Sequence, residues 1–429
     1  MKPIGDRVGR FISSFLLLVC FSLLLFCVST LPLWAQQSIT VTSANPNNAP
    51  QGTINLNVLV NGQGFKKGAL AKFFISGTAD SGGIGVNSTT FINSGQLNAN
   101  ISVAGNASVT NFDIVVKLTD GRSGKGTQLF RITAPDPAIA FTVSDSTSKY
   151  LMIMNADGTN QKILLQQPKQ ANISFGAPNW SPDGTQLVFG SNIQGSGIYI
   201  INKDGTALHK VVATNDWFFN DAVWSPATAA DSQPKIAFAD NFPGLGCHDL
   251  FIVNLDGTGL LNLTNSPDLD EFYPTWDHYA TRLAGQSSDC NVGTPMHLYK
   301  YDLALVNGVM GIISTTDLTA AGPLKNSQIY KPDWAKTQDK IVVEARLLSD
   351  INNSALWEVS LADPENPVEL TATYGISALS PSWSPDDSRM VFQWNTFSAK
   401  YHMYVINADG SGLADLGATG SRPDWRRNP

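Results

Sequence analysis

Five tryptophans mark a repeat that leaves few folds open to this chain. Its clearest copy is Pro178-Asn179-Trp180-Ser181-Pro182-Asp183-Gly184, followed by apolar segments at 186–189 and 198–201 and then Asp204-Gly205. Further copies place Trp224, Trp276, Trp334 and Trp383 at spacings of 44, 52, 58 and 49 residues. A period of that size belongs to a unit of four short strands, which cannot bury its apolar face alone and must stack on its neighbours. The first strand carries the tryptophan and the second is apolar (235–239, 340–343, 389–392). The third alternates aromatic and aliphatic residues (249–253, 355–359, 402–406), and the fourth ends near Leu263-Thr264 or Leu370-Thr371. Asp157, Asp204, Asp256 and Asp409 each precede a glycine, which supplies the positive φ of a tight hairpin between strands three and four. None has the Asp-x-Asp-x-Asp-Gly spacing of a calcium loop, so no metal site is expected there.

The ends of the array set the number of units. Residues 138–165 hold an apolar strand, an alternating strand, Asp157-Gly158 and a last strand, but no tryptophan strand; Pro423-Asp424-Trp425 supplies it. The expected ring has six blades, closed by the C-terminal segment pairing with 138–143 as the innermost strand of blade 1. Closure removes the bare strand edges that an open array would leave.

These residues resemble the TolB-like propeller repeat, a WD-like family whose line runs Pro-x-Trp-Ser-Pro-Asp-Gly, an apolar strand, then Asp-Gly. The resemblance covers about residues 137–429. Blades 2 and 6 match best, whereas blades 4 and 5 carry Trp276-Asp277-His278 and Trp334-Ala335-Lys336 in place of the Ser-Pro-Asp-Gly turn. It implies a six-bladed propeller and an exported setting. It does not carry over a partner, because related propellers serve as binding platforms, gates on hydrolases and, less often, lyases.

Residues 38–134 contain no tryptophan and many Thr, Ser and Asn. Short alternating segments at 39–41, 54–60, 70–75, 97–103, 112–118 and 128–132 predict a β-sandwich. Asn61-Gly62-Gln63-Gly64-Phe65 and Asp120-Gly121 resemble the signatures of IPT/TIG immunoglobulin-like domains, and Pro135-Asp136-Pro137 reads as a short, stiff linker. The expected class is all-β, an Ig-like sandwich (38–134) followed by the six-bladed propeller (137–429).

Lys2, Arg7 and Arg10 precede an apolar run over residues 11–28, and Ala35 ends the flank after Pro32. That is the pattern of a secretory signal over residues 1–35, with a retained membrane anchor as the competing reading. Cleavage after Ala35 would leave no membrane segment and place the protein in the periplasm, outside the cell or at its surface. It would also move the net charge from −7 to −9, because three Lys/Arg and one Asp leave with the signal. An acidic chain with 15% charged residues lacks the clustered cations that phosphate binding needs, so nucleic acid is excluded as a partner.

Gly121-Arg122-Ser123-Gly124-Lys125-Gly126-Thr127 fails the spacing of a phosphate loop and reads as a hairpin turn. There is no Gly-x-Ser-x-Gly, and the five histidines do not share a phase of the repeat; neither a metal nor another cofactor is expected. Propeller topology gathers the tight turns on one face and the long second-to-third and blade-to-blade loops on the other, where binding sites belong. The long-loop face is expected to carry Trp217, Phe218, Tyr273 and Tyr330. The carboxylates of Asp221, Asp270 and Glu271 are expected beside them. Such a mixture suits a protein, peptide or glycan partner. Cys247 and Cys290 fall in equivalent loops of neighbouring blades and are expected to form a disulfide in an oxidising compartment. The function expected is a monomeric, non-enzymatic binding or scaffold protein of a bacterial envelope or secretome. The alternative is a propeller enzyme, of lyase or hydrolase type, acting on a polysaccharide or peptide with Asp270 and Glu271 as acid and base.

Overall fold

The computed structural model describes residues 38–427, apart from residue 54 and residues 105–106, 134–137, 216–220, 227–233, 242–245 and 397–399. The signal expected over residues 1–35 lies outside the described residues, as do Trp217 and Phe218. The chain divides into two compact units, Met1–Pro135 and Asp136–Pro429. No described helix is long and apolar enough to cross a membrane.

The first unit is built from two four-stranded sheets. One runs Thr40–Asn45, Leu56–Gln63, Gln96–Val103, Ile84–Asn93; the other runs Asn48–Pro50, Ser123–Thr133, Asn111–Lys117, Leu70–Ile75. Because successive strand residues point to opposite faces, Leu97, Ala99 and Ile101 turn inward from the first sheet while their neighbours stay partly exposed. They share a core with Phe112, Ile114 and Phe130 of the second, where Phe73 and Phe130 meet edge to face at 5.3 Å.

Two features of this unit differ from the sequence expectation. Ile84–Asn93 is a strand between the segments expected at 70–75 and 97–103, where none was expected; it sits at a sheet edge, with Ile84 buried and Val86 and Phe91 packed against the core. Ser123–Thr133 begins before residue 128 because its glycines are not turn residues. A Cβ on Gly124 or Gly126 would collide with the backbone carbonyls of Ile39 and Val41, so glycine allows the close crossing. The turn itself is earlier, where Gly121 has φ +89° and the Leu118 amide donates to the Arg122 carbonyl.

The second unit is a ring of six four-stranded blades, a β-propeller. In blade 1 the order from the outside is Lys162–Pro168, Ser148–Met154, Ile139–Ser144, Ser421–Trp425. The terminal strand pairs antiparallel, with Ser421, Asp424 and Trp425 opposite Thr142, Ala140 and Ile139. Blades 2–6 begin with inner strands Asn179–Trp180, Val223–Trp224, Leu269–Trp276, Ser327–Trp334 and Ala378–Trp383, then add three antiparallel strands outward. The inner strands of blades 4 and 5 start earlier than expected, so Tyr273 and Tyr330 lie within Leu269–Trp276 and Ser327–Trp334 and not on the long loops.

Each tryptophan is a wedge between blades. Trp180 packs with Leu151 and Ile153 of blade 1, Trp224 with Val188 and Ile198 of blade 2, and so on round the ring to Trp425, which packs with Val391 and Met403 of blade 6. All six are at most 3% exposed. The residue before five of the six tryptophans adds a polar tie, because its side chain accepts a hydrogen bond from the backbone N–H of the next blade's tryptophan. Asp424 accepts from Trp180 (2.8 Å), Asn179 from Trp224 (2.8 Å), Thr275 from Trp334 (3.0 Å), Asp333 from Trp383 (2.7 Å) and Ser382 from Trp425 (3.0 Å). Val223, with no acceptor, holds the sixth position.

The outer turns are also tied. In blades 1, 2, 3 and 6 the sequence is Asn-x-Asp-Gly-Thr/Ser, and the glycines Gly158, Gly205, Gly257 and Gly410 have φ between +79° and +91°. Asp157, Asp204, Asp256 and Asp409 each accept from the backbone and hydroxyl of the Thr or Ser two residues on. These carboxylates are turn-formers.

Candidate binding site at the central channel

The channel is lined by the residues just before the tryptophans. Position three before each is Arg422, Ala177, Asp221, Tyr273, Lys331 and Ser380 in blades 1 to 6. In four of them the chain bulges: Tyr273, Lys331, Ser380 and Arg422 have φ between +46° and +55°, and the strand register shifts there. A left-handed conformation is uncommon for side-chain-bearing residues and costs of order 1–3 kcal/mol each. It recurs at one position of the repeat, so it belongs to the way this ring shapes its channel. The pocket here has about 620 Å³ of space, part of it open to solvent.

At the long-loop end the side chains interlock across four blades. The Lys331 ammonium pairs with Asp221 and lies 4.1 Å from the centre of the Tyr273 ring, a cation–π contact strengthened by desolvation. Tyr273 neighbours Tyr330 at 6.5 Å. The Arg346 guanidinium sits 5.2 Å from the Tyr330 ring and donates to Glu344 at 3.1 Å, whose other oxygen accepts from the Ser380 amide at 3.2 Å. Burial holds the Lys331 ammonium well below the ordinary lysine range, and Arg422 adds to the effect. Burial pushes the Tyr273 hydroxyl up to about 12 and raises Glu344 against the opposing pull of Arg346. The mouth is thus a partly buried lattice of two tyrosines in which Lys331, Arg346 and Arg422 are set against Asp221 and Glu344.

At the tight-turn end, Asp424 is 7% exposed and receives the Trp180 amide, the Asn179 side chain (3.0 Å) and the Ser382 hydroxyl (3.4 Å). Burial pushes its pKa from 3.8 to about 6; Lys336 opposes the shift and Asp333 adds to it. Since the folded state holds this proton more tightly than the unfolded chain, the carboxyl subtracts stability as pH rises from about 4 through 6. Two pKa units correspond to about 3 kcal/mol. Asp424→Asn is therefore expected to flatten this part of the profile. Melting temperatures of both proteins from pH 4 to 7 check this, and parallel curves would contradict it.

The structure brings Asp221, Tyr273 and Tyr330 together. Asp270 is near the rim, where it accepts from the His248 amide (2.8 Å) and pairs with the His248 ring (2.9 Å). Glu271, next along the strand, points the other way and is buried, held by Tyr301 (2.9 Å) and Ser266 (2.7 Å). Burial raises its pKa. Its expected place on the exposed face is corrected: strand neighbours face opposite sides, so Asp270 and Glu271 cannot converge as an acid–base pair. Lys331, Arg346, Glu344 and Arg422 were not anticipated. For Lys331 and Arg422, alignment of the six tryptophans would have shown them in the channel positions of Tyr273 and Asp221. Cys247 and Cys290 form a disulfide, joining the loop before strand Asp249–Asn254 of blade 3 to the loop after strand Arg282–Asp289 of blade 4.

No protein-family profile matches the chain, and no curated protein matches it. Among solved structures it is similar to TolB from Acinetobacter baumannii, with 16% identity over 73% of this chain and 79% of that one and a TM-score of 0.54. More distant likenesses are to the hydrazine synthase of Kuenenia stuttgartiensis (12% identity, 68% and 46% coverage, TM-score 0.49) and to an oligogalacturonate lyase from Vibrio parahaemolyticus (14%, 66% and 74%, 0.39). At such identities the likeness is one of fold.

Proposed function

We propose that this is an exported bacterial binding protein, and that the long-loop mouth of its propeller channel engages a protein or peptide partner of the cell envelope. One observation carries it: the Asp221–Lys331–Tyr273–Tyr330–Arg346–Glu344 lattice, contributed by blades 3, 4 and 5 and capped by Ser380 of blade 6. Tyrosine and arginine packed against one another in a partly buried pocket are what binding hot spots are made of. The basic and apolar N-terminal pattern and the Cys247–Cys290 bond agree with an exported setting. The IPT/TIG-like unit is assigned as a spacer or adhesive module, and the mature protein as a monomer. The acid–base pair of the enzyme alternative does not form, because Glu271 is turned away from Asp270 and held by Tyr301 and Ser266.

Capture from envelope extract tests this, comparing the exported protein with Tyr273→Ala, Arg346→Ala and Trp217→Ala. At least one channel variant is expected to lose about tenfold in captured partner, the effect of a single hot spot. Undiminished capture by all three folded variants would move the site off this face.

A further inference from the structure

The first unit has an unusual division of charge. Its sheet of Thr40–Asn45, Leu56–Gln63, Gln96–Val103 and Ile84–Asn93 contains no Lys, Arg, Asp or Glu. The other sheet carries Lys72, Asp113, Lys117, Lys125 and Arg131. The outward face of the uncharged sheet is covered by amides and hydroxyls bonded to one another across the strands. Ser43 receives Asn61 (3.0 Å), Asn61 receives Gln96 (3.1 Å), and Gln96 receives Asn93 (3.2 Å), a chain through all four strands. A second chain runs beside it: Asn57 accepts from Asn98 (3.3 Å) and Asn100 (2.9 Å), and Asn100 accepts from Asn87 (2.8 Å).

These bonds fix the side chains without exhausting them. An amide offers two donors and one carbonyl. Among the described residues the Asn57 NH2 and the carbonyl oxygens of Asn87 and Asn98 make no hydrogen bond, so donors and acceptors both face solvent from ordered positions. Strands about 4.8 Å apart space them as a regular array. A nucleic acid would find no cation here. A protein interface would need an aromatic or arginine centre, whereas the apolar residues on this face are only Leu59 and Ile92. What matches is a ligand that is uncharged, extended and able both to give and to accept hydrogen bonds.

We infer that this face binds a neutral polysaccharide, its hydroxyls meeting the amide array. The side chains are already ordered by their neighbours, so binding spends little further entropy on them. This site is independent of the propeller channel.

Native affinity electrophoresis of the whole exported protein tests it, with gels containing dextran, glucomannan or xylan, and polygalacturonate as the charged control. At least one neutral polymer is expected to retard the protein while polygalacturonate does not. Asn98→Val with Asn100→Val removes the amides while raising strand propensity, and is expected to weaken retention by about tenfold, as for two lost hydrogen bonds. Lys72→Ala on the other sheet is expected to retain it, and the double variant is expected to leave partner capture by the propeller unchanged. Passage of the native protein unretarded through all three neutral gels overturns the inference. So does undiminished retention of a double variant with an unchanged melting temperature, or retention traced to dimers that the same variant abolishes.

Discussion

Deleting residues 421–429 is expected to unfold the propeller and not merely to fray it. The deletion removes the innermost strand of blade 1, leaving the inner edge of Ile139–Ser144 without its ladder. Two interfaces go with it. The blade 6–blade 1 interface loses the Trp425 wedge and its amide bond to Ser382. The blade 1–blade 2 interface loses Asp424, the acceptor for the Trp180 amide and the Asn179 side chain. Truncating a single buried tryptophan to alanine costs about 3–5 kcal/mol, and a domain has about 5–15 kcal/mol in all. A strand plus two interfaces therefore exceeds what the ring can lose. Calorimetry should show the propeller transition absent in the truncated protein and lowered, but still cooperative, in Trp425→Ala. A truncated protein melting with the native one would mean that closure contributes nothing.

Asp333→Ala should be the most damaging single substitution in the channel that leaves every tryptophan in place. The Asp333 carboxylate accepts the Trp383 amide at 2.7 Å and holds the Lys336 ammonium with both oxygens at 3.0 Å. Lys336 has a side chain only 4% exposed, so alanine leaves a buried ammonium and a buried amide without their partner. Breaking a buried ion pair from one side costs about 3–5 kcal/mol. Adding Lys336→Met removes the stranded charge and should recover part of the loss, an interaction that denaturant titration of the single and double variants measures. If Asp333→Ala and native protein unfold at the same denaturant concentration, the tie between blades 5 and 6 is not structural.

Much of the propeller could be read from the tryptophan phase. Every blade tryptophan named from sequence is a wedge between blades, and Pro423-Asp424-Trp425 lies against the strand assigned to it. The pairing of Cys247 with Cys290 also followed from phase, since equivalent loops of adjacent blades are neighbours. The channel was harder to read. Tyr273 and Tyr330 were sought on loops because the inner strands of blades 4 and 5 begin seven residues before their tryptophans, whereas those of blades 2 and 3 are two residues long. Glu271 was taken for a surface carboxylate because burial through a tyrosine and a serine leaves no mark in its own neighbourhood. Ile84–Asn93 was missed since an edge strand with a solvated face has little apolar pattern to display.

The sequence by itself determined the all-β class, the six-fold count and the ring's closure. These rest on periodicity and on the need of each blade to bury a tryptophan, and both are local properties repeated along the chain. Only the tertiary structure decided which side chains meet in the channel and which amides join across the uncharged sheet. Lys331 and Asp221 are 110 residues apart, on different blades; their pairing follows from the curvature of the ring and from left-handed bulges that no single segment specifies. The amide chains likewise depend on strand register, which is settled when the two sheets bury their apolar faces together.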